Sequence, residues 1–384
     1  MMVVFLINTE FDEASAYQAI EVLRGEHIKL EELEMVLAVV GTMKAGKSTT
    51  INAIVGTEIL PNRNAPMTAI PTLIKHTQGQ KRPRFIFSEK ASQPINQLVQ
   101  DLKKAFKDKN YQQELERLKS DYDLYELVEK IQKGIKVVNQ ALDEHRVIKA
   151  LQAINDLVRI APKFGLVFPF DQYQDIDKLP VIEVEFAHLK EAEENVGKLI
   201  LLDTPGPNEA GQAHLRPMLQ DQLKKASAVL AVMDYTQLKS EADAQVRDDL
   251  KAIGNTVKNR IYALVNKFDN KDRNAMKEDE VKEFITGLTD GLIKKEKVYP
   301  VSAKRGYLAN QAKNELKDDG WLPDIKDAAW VEDFYKEVGL LRESRRTPER
   351  IAEGIEDLWE DSKFSQPLNE VIEANLWFTA IVLI

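Results

Sequence analysis

MVLAVVGTMKAGKS, residues 35–48, joins an unbroken apolar run to a glycine-rich turn and then to a helix-forming stretch, Thr49 to Val55. An apolar run of strand length without alternation belongs to a strand buried on both faces, as in a parallel sheet. The turn itself reads GxxxxGKS: Gly41, Thr42, Met43, Lys44, Ala45, Gly46, Lys47, Ser48. Its glycines let successive backbone N–H groups face a phosphate, with a helix N-terminus behind them. In that setting Lys47 reaches the β- and γ-phosphates of a nucleotide and the Ser48 hydroxyl ligates Mg²⁺. Gly41 through Thr49 is therefore the expected phosphate cradle. The bare pattern also occurs by chance, but not usually with a strand before it and a helix after it.

Four further runs of the same kind follow: Leu199–Leu202, Ala228–Met233, Ile261–Val265 and Val298–Val301. Helical stretches separate them, which is the βαβ rhythm of a doubly wound, mainly parallel α/β sheet. Three of the runs end in polar motifs. Asp203-Thr204-Pro205-Gly206 places a carboxylate where it can hold Mg²⁺ through water, and the Gly206 N–H where it can meet a γ-phosphate. Asn266-Lys267-Phe268-Asp269 offers a carboxylate to the N1–H and 2-amino groups of guanine. Adenine lacks that donor pair, so a buried Asp269 would disfavour ATP. Asn266 is expected to brace neighbouring loops and the Lys267 stem to lie along the base. Ser302-Ala303-Lys304 supplies a backbone N–H towards guanine O6. In this order, at strand ends, the motifs indicate GTP binding with Mg²⁺ and GTP hydrolysis.

The loop Pro61–Thr68 (PNRNAPMT) is rich in Pro and Asn. Thr68 is the candidate to join Mg²⁺ through its hydroxyl and to touch the γ-phosphate through its N–H; Thr72 is the next candidate. Small GTPases place a Gln directly after DxxG to orient water. Here that residue is Pro207, and Gln212 lies further along. Lys44, inside the phosphate loop, is the alternative: its ammonium can lean over the β–γ bridge, where charge develops.

The chain has 384 residues, 43% hydrophobic and 30% charged, with formal net charge −9 and no Cys. That composition argues against wholesale disorder and against sequence-independent DNA binding, which needs a basic field. Without Cys there are no disulfides or thiolate metal sites, as suits a cytoplasmic protein. The five histidines show no metal-ligand spacing and read as solvated surface.

Residues 1–33 read as an N-terminal element with a helix over 10–33, and 34–310 as the nucleotide-binding domain. About 80–180 is an insertion, with Leu115, Leu118, Tyr122, Tyr125, Val128 and Ile131, then Val147, Leu151, Ile154 and Val158, at helical spacing. Val181–Ala187 alternates Ile182, Val184 and Phe186 with Glu183 and Glu185, which predicts an antiparallel edge strand; Glu193–Gly197 reads as the turn after it. In 311–384, Thr347-Pro348-Glu349 opens a helix with an N-cap and Pro at N1, and Ser365-Gln366-Pro367 interrupts it. The apolar ends, MMVVFLI and WFTAIVLI, fall short of the ~20 residues a spanning helix needs and read as core-facing.

These motifs, with LPNRNAPMTAIPT, LLDTPGPNEAG, SAVLAVMDYTQLKS, LVNKFD and DLWEDSKFSQP, resemble the G domain of the dynamin superfamily. The likeness is to bacterial dynamin-like proteins, among them enterobacterial clamp-binding members found at replication forks, and covers most of residues 33–375. It implies a P-loop GTPase domain with a helical neck from both chain ends, a long stalk that would begin where this chain stops, and dimerisation through G domains. It also places Lys44 where dynamins have a polar residue beside a monovalent cation, so that the ammonium takes that cation's place. Clamp-binding peptides are short Gln-and-aromatic motifs, and none stands out before Glu34. The competing expectation is a GTP-regulated interaction module, for a DNA-replication or chromosome-partition partner, with incidental turnover. Membrane contact is left open by the sequence.

Overall fold

A computed structural model describes residues 34–42, 44–61, 70–134, 139–189, 198–206, 212–238, 259–271 and 275–373, with scattered positions between 240 and 257. The expected helix over 10–33, the turn at 193–197, Met43, Thr68 and both apolar ends lie outside the described residues.

The described strands form one nine-stranded sheet: β1 (Glu34–Gly41), β2 (Thr72–His76), β3 (Arg84–Ile86), β4 (Gln140–Leu142), β5 (Val181–Val184), β6 (Lys198–Asp203), β7 (Ala228–Asp234), β8 (Ile261–Asn266) and β9 (Val298–Pro300), in the order β4-β3-β5-β2-β6-β1-β7-β8-β9. β6, β1, β7, β8 and β9 are mutually parallel. All seven residues of β7 are buried, as are Met35, Leu37, Ala38 and Val39 of β1, which is why these strands read as unbroken apolar runs. The chain leaves β6 and crosses β1 to reach β7, so the order reverses at β1 and opens a crevice at the strands' carboxyl ends. Register aligns those ends: Val39 opposite Asp203, Gly41 opposite Val232, Asp234 opposite Asn266.

The other half of the sheet is mixed. β2 runs antiparallel to β6 and parallel to β5; β3 runs antiparallel to both β5 and β4. The stretch Val181–Ala187 is therefore not an edge strand. β5 is interior, because β3 and β4 extend the sheet beyond it, and its acidic face meets Arg84 of β3, whose guanidinium lies 3.9 Å from Glu183. Three-residue strands such as RFI and QAL leave too few alternations to be read from sequence.

Helices α1 (Lys47–Val55), α2 (Glu89–Ala105), α3 (Gln112–Leu118), α4 (Tyr122–Gln132) and α5 (Glu144–Ile160) come before β5 in the chain. α2, α4 and α5 turn apolar stripes inward: Ile95, Leu98 and Leu102; Leu124, Val128 and Ile131; Val147, Leu151, Ile154 and Leu157 are all buried. Each such side chain contributes about 1.5–3 kcal/mol, which ties these helices to the sheet. Later come α6 (Gln212–Lys225), α7 (Glu278–Leu288), α8 (Ala303–Glu315), α9 (Trp330–Glu337) and α10 (Pro348–Ser362). α10 starts with the Thr347 side chain accepting from the Arg350 N–H and Pro348 at its first position. It ends at Ser362 with Lys363 left-handed (φ 57°), two residues before Ser365. α8 packs against both α1 and α10.

Candidate functional site

At the carboxyl end of β1 the backbone must turn in close quarters. A Cβ on Gly41 would run into the Val232 carbonyl oxygen, and one on Gly46 (φ 95°) into the Asn266 amide. Lys44 is also left-handed (φ 67°) and is exposed, a conformation a non-glycine residue rarely takes. The Lys47 side chain is buried and its ammonium folds back over the loop, donating to the carbonyls of Gly41 (3.0 Å) and Thr42 (3.3 Å). Ser48 and Thr49 follow in the first turn of α1, half-buried.

Asn266 is the keystone of the crevice. Its Nδ2 donates to the Ala45 carbonyl (2.8 Å) and its Oδ1 accepts from the Ala303 N–H (2.9 Å), so one buried side chain joins the phosphate-type loop, β8 and the start of α8. Lys267 is left-handed (φ 62°) and its ammonium pairs with Asp234 at 2.6 Å. The other Asp234 oxygen accepts from the Thr236 N–H (2.9 Å) and hydroxyl (2.7 Å). Sequence reasoning missed Asp234. Its signal was an acidic residue closing the apolar run of β7, level with Asn266.

Asp269 sits on the turn Phe268–Asn270 and is exposed, against the expectation of a buried carboxylate. That turn projects beyond β8, and it is Phe268 that is buried, edge-on to Tyr235 with ring centroids 5.4 Å apart. Of the loop Ser302-Ala303-Lys304, the Ser302 N–H donates to the Ser362 carbonyl (3.0 Å) and the Ala303 N–H to Asn266. The Lys304 ammonium is held away by Glu337 (2.8 Å).

On the other side of β1, Asp203 is buried at the end of β6, and the adjoining Thr204 hydroxyl donates to the Val39 carbonyl (2.8 Å); Gly206 is buried too. Thr72 lies opposite Asp203 in β2, buried, with its hydroxyl turned to the Ile70 carbonyl (3.4 Å). Pro207 lies outside the described residues, and Gln212 opens α6. A second missed residue is Asn52. Fully buried, it accepts from the N–H groups of Ile59 and Leu60 and donates to the Leu60 carbonyl, anchoring the chain that leads into the Thr68 loop.

Two histidines depart from the solvated reading. His188 donates from Nδ1 to the Ile54 carbonyl (3.0 Å) near the end of α1, and burial lowers its pKa to about 4. His76 accepts at Nδ1 from the Phe186 N–H (3.0 Å), and burial lowers its pKa against the raising effect of Glu185.

Oxygen donors suit a hard divalent cation, and the chain offers a buried carboxylate at Asp203, at the end of β6, and a hydroxyl at Ser48, in the first turn of α1. Mg²⁺ is commonly held by one or two carboxylates plus substrate phosphates, so a dedicated cage is not required. Among the described residues no cluster of three or more His, Cys, Asp or Glu side chains could hold a metal by itself.

The profile described as the Dynamin family matches residues 37–267, from the middle of β1 to the residue after β8. This chain belongs to the dynamin family. It is 49% identical over 357 residues to the clamp-binding protein CrfC of Escherichia coli, and equally so to that of strain K12. The alignment covers 92% of this chain and 47% of each relative, so this dynamin-family chain spans about half the length of the proteins it matches. Similar solved structures include two of an oligomerised bacterial dynamin pair, whose titles describe long-range sensing and tethering of membranes. They share 17% identity with this chain, at TM-scores of 0.41 and 0.40, and the match covers 97% of this chain and 55% of theirs. No helix among the described residues is long and apolar enough to cross a membrane.

Proposed function

We propose that this dynamin-family chain binds GTP with Mg²⁺ and hydrolyses it to GDP and phosphate, faster when two G domains meet. The observation that supports this most is the Asn266 brace, which fastens the Gly41–Ser48 loop to the Ser302–Lys304 loop across the carboxyl ends of parallel strands. In this reading the Gly41–Thr49 backbone and Lys47 hold the phosphates. Ser48, Thr68 and Asp203 hold Mg²⁺, which when bound neutralises charge on the β–γ oxygens. The Gly206 N–H meets the γ-phosphate, and Asp269 accepts from guanine N1–H and the 2-amino group. Since the Ser302 and Ala303 N–H groups are engaged within the protein, the Lys304 N–H is the one left for guanine O6. The Asp234 pair fixes the Lys267 stem beside the base. Exposed Lys44 supplies positive charge at the β–γ bridge in place of a water-orienting side chain or a monovalent cation.

The test is titration calorimetry with GTP, ATP and xanthosine triphosphate on the parent and on Asp269→Asn, alongside phosphate release. GTP binding with turnover, and a shift of preference towards xanthosine triphosphate in the variant, is expected. Equal affinity for ATP in the parent would overturn the reading. The E. coli relative's name supports a second reading, a cytoplasmic GTP-gated module for a replication partner with incidental turnover. GTPase rate against protein concentration separates the two: an enzyme activated by dimerisation accelerates, a slow switch does not.

A further inference from the structure

Away from the nucleotide crevice, helices α2, α4 and α5 do not close completely over the outer strands β3 and β4. They leave a cavity of about 840 Å³, within the size range of small-molecule sites. Its walls are apolar: Val99 of α2, Leu127 and Ile131 of α4, Ala141 of β4, Ala150 and Leu157 of α5. The pocket opens to solvent, since the side chains of Arg84, Arg146 and Lys149 on its rim are 43%, 74% and 40% exposed, so its apolar walls can be reached by a ligand.

The polar groups that line it have one sign of charge. Arg84, Lys130, Arg146 and Lys149 all line the cavity, and among the described residues no carboxylate does. The acids that face these cations sit outside the lining and hold most of them loosely. Glu183 is 3.9 Å from Arg84, Asp143 is 3.6 Å from Arg146, and Glu126 is 3.6 Å from Lys149 while bonding Lys130 at 2.5 Å. Arg84, Arg146 and Lys149 thus retain donors for an anion. Gln80 and Gln140 add neutral hydrogen-bonding groups.

We propose that this cavity binds a single-chain anionic amphiphile, a long-chain carboxylate, with the alkyl chain between the sheet and the helices and the carboxylate among Arg84, Arg146 and Lys149. Apolar walls with cations of one sign match that chemistry on both counts. An acidic peptide adding to the sheet edge fits less well. β4 offers only Gln140–Leu142 for pairing, and the cavity lies between sheet and helices rather than along the edge.

Calorimetric titration of the delipidated full chain with sodium laurate below its micellar concentration tests this, with dodecanol as the same chain without the charge. One laurate per chain is expected. Arg146→Glu combined with Lys149→Glu should weaken laurate at least ~10-fold, since charge-assisted hydrogen bonds are lost. Ala153→Phe, which grows a ring into the cavity, should abolish binding. Because the filled variant could misfold, its melting curve is read alongside, and the charge-reversal pair on exposed side chains gives an independent result. Absence of laurate binding in the parent overturns the proposal, as does equal affinity for dodecanol, or binding that survives both variants. Co-sedimentation with phosphatidylglycerol vesicles without any binding of monomeric laurate would also overturn it, because it would show a membrane surface rather than a one-chain site.

Discussion

From β6 to β9 the strands run the same way, and their carboxyl ends bring Gly41, Asp203, Asp234 and Asn266 to one edge of the sheet. From β2 to β4 the direction changes repeatedly, and no such edge forms. The parallel half therefore gathers loops, each arriving from a crossover, and its polar groups converge on one crevice. The mixed half gathers helices: α2, α4 and α5 bury their stripes and leave an apolar cavity instead. Strand direction, more than composition, decides whether a region of this sheet assembles a polar site or an oily one.

The largest effect expected in the parallel half is that of Lys47→Ala. Two or more charge-assisted hydrogen bonds to phosphate are lost, at about 1.5–3 kcal/mol each, so GTP affinity should fall by ~100-fold or more. Micromolar affinity in that variant, by calorimetry, would break the assignment of the crevice. Its counterpart in the mixed half is Ile154→Ala in α5, which should cost about 2–5 kcal/mol in urea unfolding. If the melting temperature did not move, α5 would be an appendage and the contrast between the halves would fail.

The seam between the halves carries a pH signature. The pKa of His188 falls from 6.5 to about 4 through burial, so the folded state disfavours its charged form. Stability is then fully present above pH 6.5 and is lost as pH falls towards 4. The total is on the order of 3 kcal/mol, because the unfolded chain takes up the proton first. His188→Asn should flatten that part of the curve relative to the parent in denaturant titrations between pH 7.5 and 4.5. Parallel curves would place the charge elsewhere. The smallest effect sharpens the picture of the crevice: Lys44→Ala should keep GTP affinity but lose kcat by ~10-fold or more, as removal of a transition-state contact does. Unchanged single-turnover hydrolysis at high protein concentration would remove Lys44 from the chemistry.

The parallel half was legible because burial on both faces leaves unbroken apolar runs, and because each run hands over to a polar motif. MVLAVV before GTMKAGKS and IYALV before NKFD carry both signals in the sequence itself. What escaped depended on partners distant in sequence. Asp234 gains meaning only beside Lys267, and Asn52 only once Leu60 folds back on it. Glu183 suggested an exposed edge because its neighbour Arg84 comes from a strand of three residues that has no period to detect. The exposed Asp269 and the half-buried His188 show the same limit, since burial of a single polar side chain depends on the turn that carries it.

The hydrogen bond from the Ser302 N–H to the Ser362 carbonyl has a consequence for synthesis. The described strands of the sheet are complete once Pro300 has been made, yet the Ser302 N–H, beside the Ala303 N–H that Asn266 already holds, has no partner until α10 has been translated and has docked on α8. Phe364, just beyond that bond, must also seat against Gly306. At about 5–20 residues per second the ribosome takes seconds to cover that stretch, and then longer to clear its exit tunnel. A nascent chain holding the whole sheet would thus carry a finished phosphate loop and an unfinished second wall, and the crevice would mature last at the side furthest from β1.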